Sequence, residues 1–462
     1  MDSFDLVTIG SGPAGEKGAA QAAYFGHKVA VVDRQARPGG APVNSGGIPT
    51  KTLREAATYL TSFGKRDIYG VGIGLSPGLM VERLRARAAE VQETMGAAVS
   101  ENLERHHIEY VVGEATLRDG GVAVTLPSGE ERKLSARVIL ISTGSRPFRP
   151  AGIPFDDPDV HDSDSILEMD RIPKSMVVIG AGPVGAEYAS IFTALGTNVT
   201  IIDLGERMAP FLDVEVSELL RKYLEEAGTR VVLGTTGEVS RQGDRLQVEL
   251  GDGEVLNPEV VLFAAGRVGN TDELAVREAG VECDERGRIL VDDEYRTTVD
   301  GIYAAGDVIG PPALASVSSE QGRVAICHAF GIPFKEAIDP TPPFGVYTIP
   351  EVGMVGMTEE AAKAAGVDYE VGRSWFADNS RSAIAGSPAG LIKLVLNRDD
   401  RRLIGAHIIG EEAAELIHQA QAVIHTRGTI DYFIDSTYNV PTRSEAFKYA
   451  AYNALQRLAG SG

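Results

Sequence analysis

The sequence predicts an α/β protein in three parts: two parallel-sheet units, the second inserted into the first, and a C-terminal α+β domain. Three observations carry this expectation. A segment of strand, glycine loop, helix and strand occurs twice, a continuous apolar run ending in glycine follows each copy, and a proline-rich linker precedes residues 341–462.

The repeat comes first because it changes the meaning of every motif inside it. Leu6-Val7-Thr8-Ile9-Gly10-Ser11-Gly12-Pro13-Ala14-Gly15 returns as Met176-Val177-Val178-Ile179-Gly180-Ala181-Gly182-Pro183-Val184-Gly185, displaced by 170 residues. At the same offset and without a gap, the stretch from Gly26 to Asp33 corresponds to that from Gly196 to Asp203. In each copy the third glycine lies 18 residues before an acid, Asp33 or Asp203, at the end of the next strand. The first glycine (Gly10, Gly180) permits a tight turn, the second (Gly12, Gly182) lets a pyrophosphate approach the backbone, and the third (Gly15, Gly185) lets helix pack on strand. Unpaired N–H groups at the helix start then face phosphate, and the acid faces a ribose. A single match of this kind is a weak signal because glycine turns are common. Two in matched context predict two dinucleotide-binding (Rossmann-like) domains.

The runs Val138 to Gly144 and Val260 to Gly266 read as buried parallel strands with tight exits. Their glycines suggest domain exits; Thr143 and Gly144 are candidates for the first nucleotide site and Gly266 for the second. Pro147, Pro150 and Pro154 mark a crossover into the second unit, and Gly266 to Asn270 a return from it. A further short strand, Gly301 to Asp307, ends in glycine and a carboxylate. Pro340-Thr341-Pro342-Pro343 opens the last region, where Glu412 to Arg427 reads as a helix. The expected boundaries are 1–150 with 267–340 for the first domain, 151–266 for the inserted one, and 341–462 for the last.

Composition narrows the function classes. Sixty-five acidic residues against 44 basic ones give a formal charge of −21, which disfavours nucleic acid and anionic membrane surfaces. No apolar run approaches the roughly 20 residues of a membrane span, and Asp2 to Asp5 lead directly into a strand, where a signal peptide would need its apolar core. The two cysteines, Cys283 and Cys327, form neither a C-x-x-C pair nor a metal-ligand cluster; they read as packing residues, no metal is expected, and a reducing cytoplasm fits best.

These pieces resemble the pyridine nucleotide-disulfide oxidoreductases over nearly the whole chain. The resemblance implies FAD in the first dinucleotide fold and NAD(P) in the second, with Gly306-Asp307 against the flavin ribityl chain and a homodimer, or a higher oligomer, formed through the C-terminal domain. It also exposes two departures. Where the family reads G-G-x-C-x-x-x-x-C-I-P-[ST]-K, this chain has Gly39-Gly40-Ala41-Pro42-Val43-Asn44-Ser45-Gly46-Gly47-Ile48-Pro49-Thr50-Lys51, with Pro42 and Gly47 in the cysteine positions. Neither residue forms a thiol adduct. Where the family supplies an acid-base histidine in His-Pro-Thr-x-x-Glu, the matching residues are Val440-Pro441-Thr442-Arg443-Ser444-Glu445. Two parts of one mechanism are lost together while both nucleotide motifs persist, which predicts a different reaction and not disulfide reduction.

Several local stretches, including Tyr347-Thr348-Ile349-Pro350-Glu351 and Ala414-Glu415-Leu416-Ile417-His418, are similar to the soluble FAD-containing transhydrogenase subgroup. That likeness implies ping-pong hydride transfer from NADPH through FAD to NAD+ at a single nicotinamide pocket. Lys51 and Glu187 match the family's ion pair beside the flavin and are the catalytic candidates. The helix beginning near Ala315 is expected to turn its positive end toward the flavin. Asp203 favours NAD by accepting from ribose hydroxyls, and Arg207 offers a cation for a 2′-phosphate; Gly205 stands where NADP-using relatives are expected to carry arginine. The alternatives are an NAD(P)H:acceptor reductase (a diaphorase), which needs the same sites, and a non-catalytic nucleotide-binding sensor or subunit.

Overall fold

Strand Asp2–Ile9 pairs in parallel with both Val29–Asp33 and Glu131–Ile141, so that Ile9 stands beside Val32 on one side and Ile141 on the other. In this computed structural model, which describes residues 2–62, 77–118 and 120–460, that alignment brings the ends of three strands to one edge. Glu109–Val112 extends the parallel sheet beyond Val29–Asp33, and Ile302–Ala304 joins it on the far side of Glu131–Ile141. A hairpin of Glu114–Arg118 and Gly121–Thr125 adds antiparallel to the early half of Glu131–Ile141. The strands are apolar through their centres because helices cover the sheet, Pro13–Tyr24 and Ala315–Phe330 among them. Gly322 permits the close approach of these two helices, since a Cβ there would lie 2.1 Å from the Ala14 carbonyl oxygen.

The repeat is visible in a second sheet. Its order is Arg230–Leu233, Asn198–Asp203, Ser175–Ile179, Val260–Phe263 and Val160–Asp162, all parallel, with Ile179 beside both Ile202 and Phe263. The runs from Val138 and from Val260 form buried parallel strands, as read from sequence, but neither closes its sheet, since Ile302–Ala304 and Val160–Asp162 pair beyond them. A five-stranded antiparallel sheet follows in the C-terminal region, in the order Phe344–Val346, Glu351–Gly356, Leu403–Gly410, Gly390–Asn397 and Tyr369–Trp375. Helices Ala413–His425 and Glu445–Gly460 lie on it at glycines: a Cβ on Gly353 would sit 2.4 Å from the Ala413 carbonyl oxygen, and one on Gly372 would sit 2.0 Å from that of Ala450.

The described residues form two compact units. One draws on Met1–Thr52, Arg83–Phe148 and Gly266–Asp339, and the other on Leu53–Glu82, Arg149–Ala265 and Pro340–Gly462. The insertion is therefore real in the chain path, since Arg149–Ala265 interrupts the first unit. Within the second unit the C-terminal sheet has its own apolar cluster around Phe376, Phe433 and Phe447. It also shares a core with the inserted sheet, where Val346, Val352, Leu391 and Ile409 pack among Met176, Val178, Ile201 and Leu220.

A buried ionic cage joins the same two regions. Lys393, 1% exposed, donates to Asp213 at 2.7 Å and stands 3.0 Å from Glu215 and in contact with Glu359. Three carboxylate groups thus converge on an internal ammonium, whose three N–H donors match them in number. Asp213 also caps helix Val214–Glu226 by accepting the Glu215 N–H at 3.1 Å. Lys393 pairs across the sheet with His407, which is fully buried and bonds the Met357 carbonyl through Nε2 at 2.9 Å.

Candidate nucleotide-binding and redox sites

Each glycine of the first loop meets a different physical demand. Gly10 has φ +100°, and a Cβ there would fall 2.4 Å from the Ser142 carbonyl oxygen. A Cβ on Gly15 would lie 1.9 Å from the Gly10 oxygen. Gly12 is different: a Cβ there would approach nothing of the protein closer than 3.9 Å, so its missing side chain leaves room that the protein does not fill. Gly12 is also the N-cap of helix Pro13–Tyr24, with no side-chain cap for the first amides. An open cradle beneath uncapped N–H groups fits a pyrophosphate. At the end of the next strand, Asp33 Oδ2 accepts the Ser11 N–H at 2.8 Å and the Ser11 hydroxyl at 2.6 Å, while Oδ1 accepts the Gln35 N–H at 2.9 Å.

The remaining residues expected at FAD lie in the same unit. Thr143 Oγ1 donates to the Asn270 carbonyl at 2.7 Å, and the Gly144 carbonyl accepts the Asn270 N–H at 3.0 Å. Gly306, with φ +83°, donates its N–H to Gln321 Oε1 at 2.9 Å, and Asp307 accepts the Ser145 and Ser318 hydroxyls at 3.2 and 3.3 Å. Ala315 is the first residue of helix Ala315–Phe330, which also lacks a side-chain cap. Lys51 occupies the first turn of helix Ile48–Ser62 and donates its backbone N–H to the Gly47 carbonyl at 3.1 Å. Pro42 and Gly47 stand against each other, a Cβ on Gly47 falling 2.8 Å from Pro42 Cα. The loop thus keeps two adjoining positions and carries no sulfur at either.

The second loop repeats the first. Gly180 has φ +115° and lies under Ala264, a Cβ on Gly185 would be 1.9 Å from the Gly180 oxygen, and Gly182 caps helix Pro183–Ala194 with nothing within 4 Å of its missing Cβ. Asp203 Oδ2 accepts the Ala181 N–H and Oδ1 the Gly205 N–H, both at 2.6 Å. Each oxygen keeps a lone pair for a ribose hydroxyl. Glu187, 7% exposed on the same helix, accepts the Tyr347 N–H at 2.9 Å. Gly266, assigned from sequence to this nucleotide, has φ +117° and accepts the Phe148 N–H at 3.1 Å; it belongs with the unit that carries the first loop.

Sequence reasoning did not see the partners of several neighbours. Glu351 lies 2.8 Å from Arg54 and accepts the Ala414 N–H at 3.2 Å; burial pushes its carboxyl up, against the pull of the guanidinium. Arg207, offered by the sequence as a cation for a 2′-phosphate, pairs with Glu360 at 2.9 Å. In the C-terminal segment Val440 is exposed, whereas Arg443 is buried against Glu411, Glu412 and Ser387. Both cysteines are free thiols held above their ordinary range by burial.

Two family models cover the chain: pyridine nucleotide-disulphide oxidoreductase over residues 4–322, and the dimerisation domain of the same family over 342–451. The chain belongs to that family. It is an FAD-dependent oxidoreductase of pyridine nucleotides, as the sequence predicts. It is 41% identical over 469 aligned positions to a soluble pyridine nucleotide transhydrogenase of Mycobacterium tuberculosis (strain ATCC 25177 / H37Ra), covering 99% of this chain and 98% of the relative. A protein of the same name from Colwellia psychrerythraea is 38% identical over 98% of both chains. Among solved structures, the HOCl-induced flavoprotein disulfide reductase RclA of Escherichia coli, as its Cu(II) complex, matches with TM-score 0.88 at 27% identity over 98% of this chain and 99% of that one. LpdA of Mycobacterium tuberculosis matches with TM-score 0.89 at 26% identity over 98% and 99%.

Proposed function

We propose that this enzyme is a soluble transhydrogenase that takes hydride from NADPH and delivers it to NAD+ in two half-reactions at one nicotinamide pocket. The observation that carries the reading is the pairing of two complete glycine loops with a sulfur-free Pro42 and Gly47. Bound FAD would supply the two-electron station between the nucleotides. Gly10, Gly12, Gly15, Asp33, Thr143, Gly144, Gly306, Asp307 and Ala315 would hold it. Gly180, Gly182, Gly185, Asp203 and Arg207 would hold the nicotinamide nucleotide in turn.

The chain's own contribution is positioning and charge. We assign Lys51 to stabilise negative charge on the reduced ring, and Glu187 to favour the positive nicotinamide of the oxidised nucleotide. Tyr347 supports that role by fixing the Glu187 carboxylate through its N–H. The family's dimerisation domain supports a homodimer, and the two free thiols support a reducing, cytoplasmic setting.

The test is anaerobic. NADPH should bleach the flavin, and added NAD+ analogue should restore its colour while becoming reduced. Bleaching by NADH alone would replace this reading with an NADH:acceptor reductase, and bleaching by neither with a nucleotide sensor. Lys51→Met should slow flavin reduction about 100-fold in stopped flow, the scale of one lost charge-stabilising group, with FAD content retained. An unchanged rate would remove Lys51 from the chemistry.

A further inference from the structure

Arg207 lies four residues beyond Asp203, in the loop that leaves strand Asn198–Asp203. Its guanidinium is engaged: Nη1 lies 2.9 Å from Glu360 Oε1, and Nη2 donates to the Pro210 carbonyl at 2.5 Å. Each partner also has a backbone contact. The same Glu360 oxygen accepts the Val214 N–H at 3.1 Å, at the start of helix Val214–Glu226, where backbone dipoles favour a carboxylate. Glu360 thus has a backbone contact at the Val214 N–H and Arg207 one at the Pro210 carbonyl, which Arg207 reaches on a long side chain with several rotatable bonds. With side chains 32% and 43% exposed, the pair is screened by water and open to competition from a stronger anion.

Around Asp203 there is no other cation to meet a 2′-phosphate among the described residues that the loop itself supplies. Both Asp203 oxygens are turned to backbone N–H groups, Leu204 is apolar, Gly205 has no side chain and Glu206 is acidic. A pocket that must hold NAD(H) and NADP(H) in alternate half-reactions has to accept a 2′-hydroxyl and a 2′-phosphate on similar terms. A fixed arginine would favour the phosphate, and a missing one would reject it.

We propose that Arg207 is a two-position specificity residue and that Glu360 sets its balance. With NAD(H) bound, Arg207 stays on Glu360. With NADP(H), it swings to the 2′-phosphate, while Glu360 remains on the Val214 amide. The inference rests on the transhydrogenase reading for its purpose, but its test needs only nucleotide binding. It assigns a substrate-discriminating role to a residue of the C-terminal region, Glu360, that makes no contact of its own with the phosphate.

The experiment measures binding of adenosine 2′,5′-bisphosphate and of 5′-AMP to the FAD-loaded protein by calorimetry, in wild type, Glu360→Gln, Arg207→Gln and the double variant. Glutamine keeps an acceptor for the Val214 N–H and removes the charge. Glu360→Gln should tighten the bisphosphate about three- to fivefold, the scale of releasing one exposed ion pair, and leave 5′-AMP unchanged. Arg207→Gln should weaken the bisphosphate about tenfold or more, as loss of a charge-assisted contact does, and Glu360→Gln should then add nothing. Equal tightening of both probes, a gain that persists without Arg207, or an inert Arg207→Gln would each overturn the exchange. Should the binding pattern hold while NADPH fails to bleach the flavin, the transhydrogenase reading falls and the two-position arginine stands.

Discussion

Replacing Lys393 by methionine tests whether the buried cage is held by charge. Methionine retains the apolar bulk of the lysine stem, so packing changes little, while the ammonium disappears. Arg373 still reaches Glu215 at 2.8 Å and Glu359 at 3.3 Å. Asp213, 0% exposed, keeps only the Glu215 and Glu359 N–H groups at 3.1 and 3.2 Å. The penalty therefore falls on one buried carboxylate, and removing the partner of such a charge costs about 3–5 kcal/mol. In the wild type, burial raises the Asp213 and Glu215 carboxyls, but their cationic partners outweigh it: Lys393 for Asp213, Arg373 and Lys393 for Glu215. Their stabilisation is present above the ordinary carboxylate range, roughly pH 4, and is lost as pH falls through the lowered folded values. Burial lowers Lys393, but its bonds to Asp213 and Glu359 outweigh that and raise it. Its stabilisation is complete below roughly pH 10.4 and fades as pH rises through the folded value. In Lys393→Met only Arg373 offsets the three carboxylates and Asp213 has no cation of its own, so acidification into the carboxylate range should relieve the variant instead of weakening it. Urea denaturation followed by circular dichroism across pH reads both effects, and adding Asp213→Asn should recover more than half of the loss. A loss below about 1 kcal/mol, or an acid slope of the same sign as in the wild type, would refute the charge argument.

Gly182→Ala should leave stability within about 0.5 kcal/mol, because the new methyl meets nothing within 4 Å at φ −70°, yet weaken nicotinamide nucleotide binding about tenfold; intact binding would show that the open cradle is not the phosphate site. Gly185→Ala should instead cost about 1–3 kcal/mol of overpacking, since its Cβ would fall 1.9 Å from the Gly180 oxygen, and a soluble variant of wild-type midpoint would contradict that contact. His407 is kept below its usual titration range by burial, so the unfolded chain takes up a proton that the folded one refuses. Stability should fall as pH drops below about 6.5, by up to about 1.4 kcal/mol per pH unit, and His407→Gln should flatten that part of the profile; an unaltered slope would assign it to other groups.

The features legible in the sequence are those whose physical demand is local. Gly10 and Gly15 are needed because of atoms that their own loop and the adjoining strand bring close, and the 170-residue repeat doubles the signal. Asp33 and Asp203 were readable as strand-end acids, but their bonds to the Ser11 and Ala181 amides were not, because the bonded atoms meet only when loop and strand end are placed together. Lys393 and Asp213 are 180 residues apart, and Arg207 and Glu360 are 153 apart. Nothing in the strand alternation around Lys393 distinguishes a caged ammonium from a solvated one. The shared core of the inserted and C-terminal sheets was hidden for the same reason: Val346, Val352 and Leu391 read as one face of a self-contained sheet, whichever surface covers them.

Backbone likeness does not choose among the chemistries of this family. A disulfide reductase aligns with TM-score 0.88 at 27% identity, whereas the relatives at 41% identity are transhydrogenases, so the discrimination lies in a few side chains on a common scaffold. Pro42 and Gly47 keep the geometry of two adjoining loop positions and remove the sulfur, and Val440 removes the acid-base group that sulfur chemistry requires. Those three positions bar the route from flavin to disulfide without altering the route from nucleotide to flavin. What remains variable is which nucleotide enters. In the proposed site that choice would reduce to the atoms around one ribose carbon, with Asp203 accepting two backbone N–H groups and Arg207 paired with Glu360. An enzyme that must exchange one nucleotide for the other would gain from a cation that is available and not fixed, and the proposed two-position arginine in a part-exposed ion pair would supply that property.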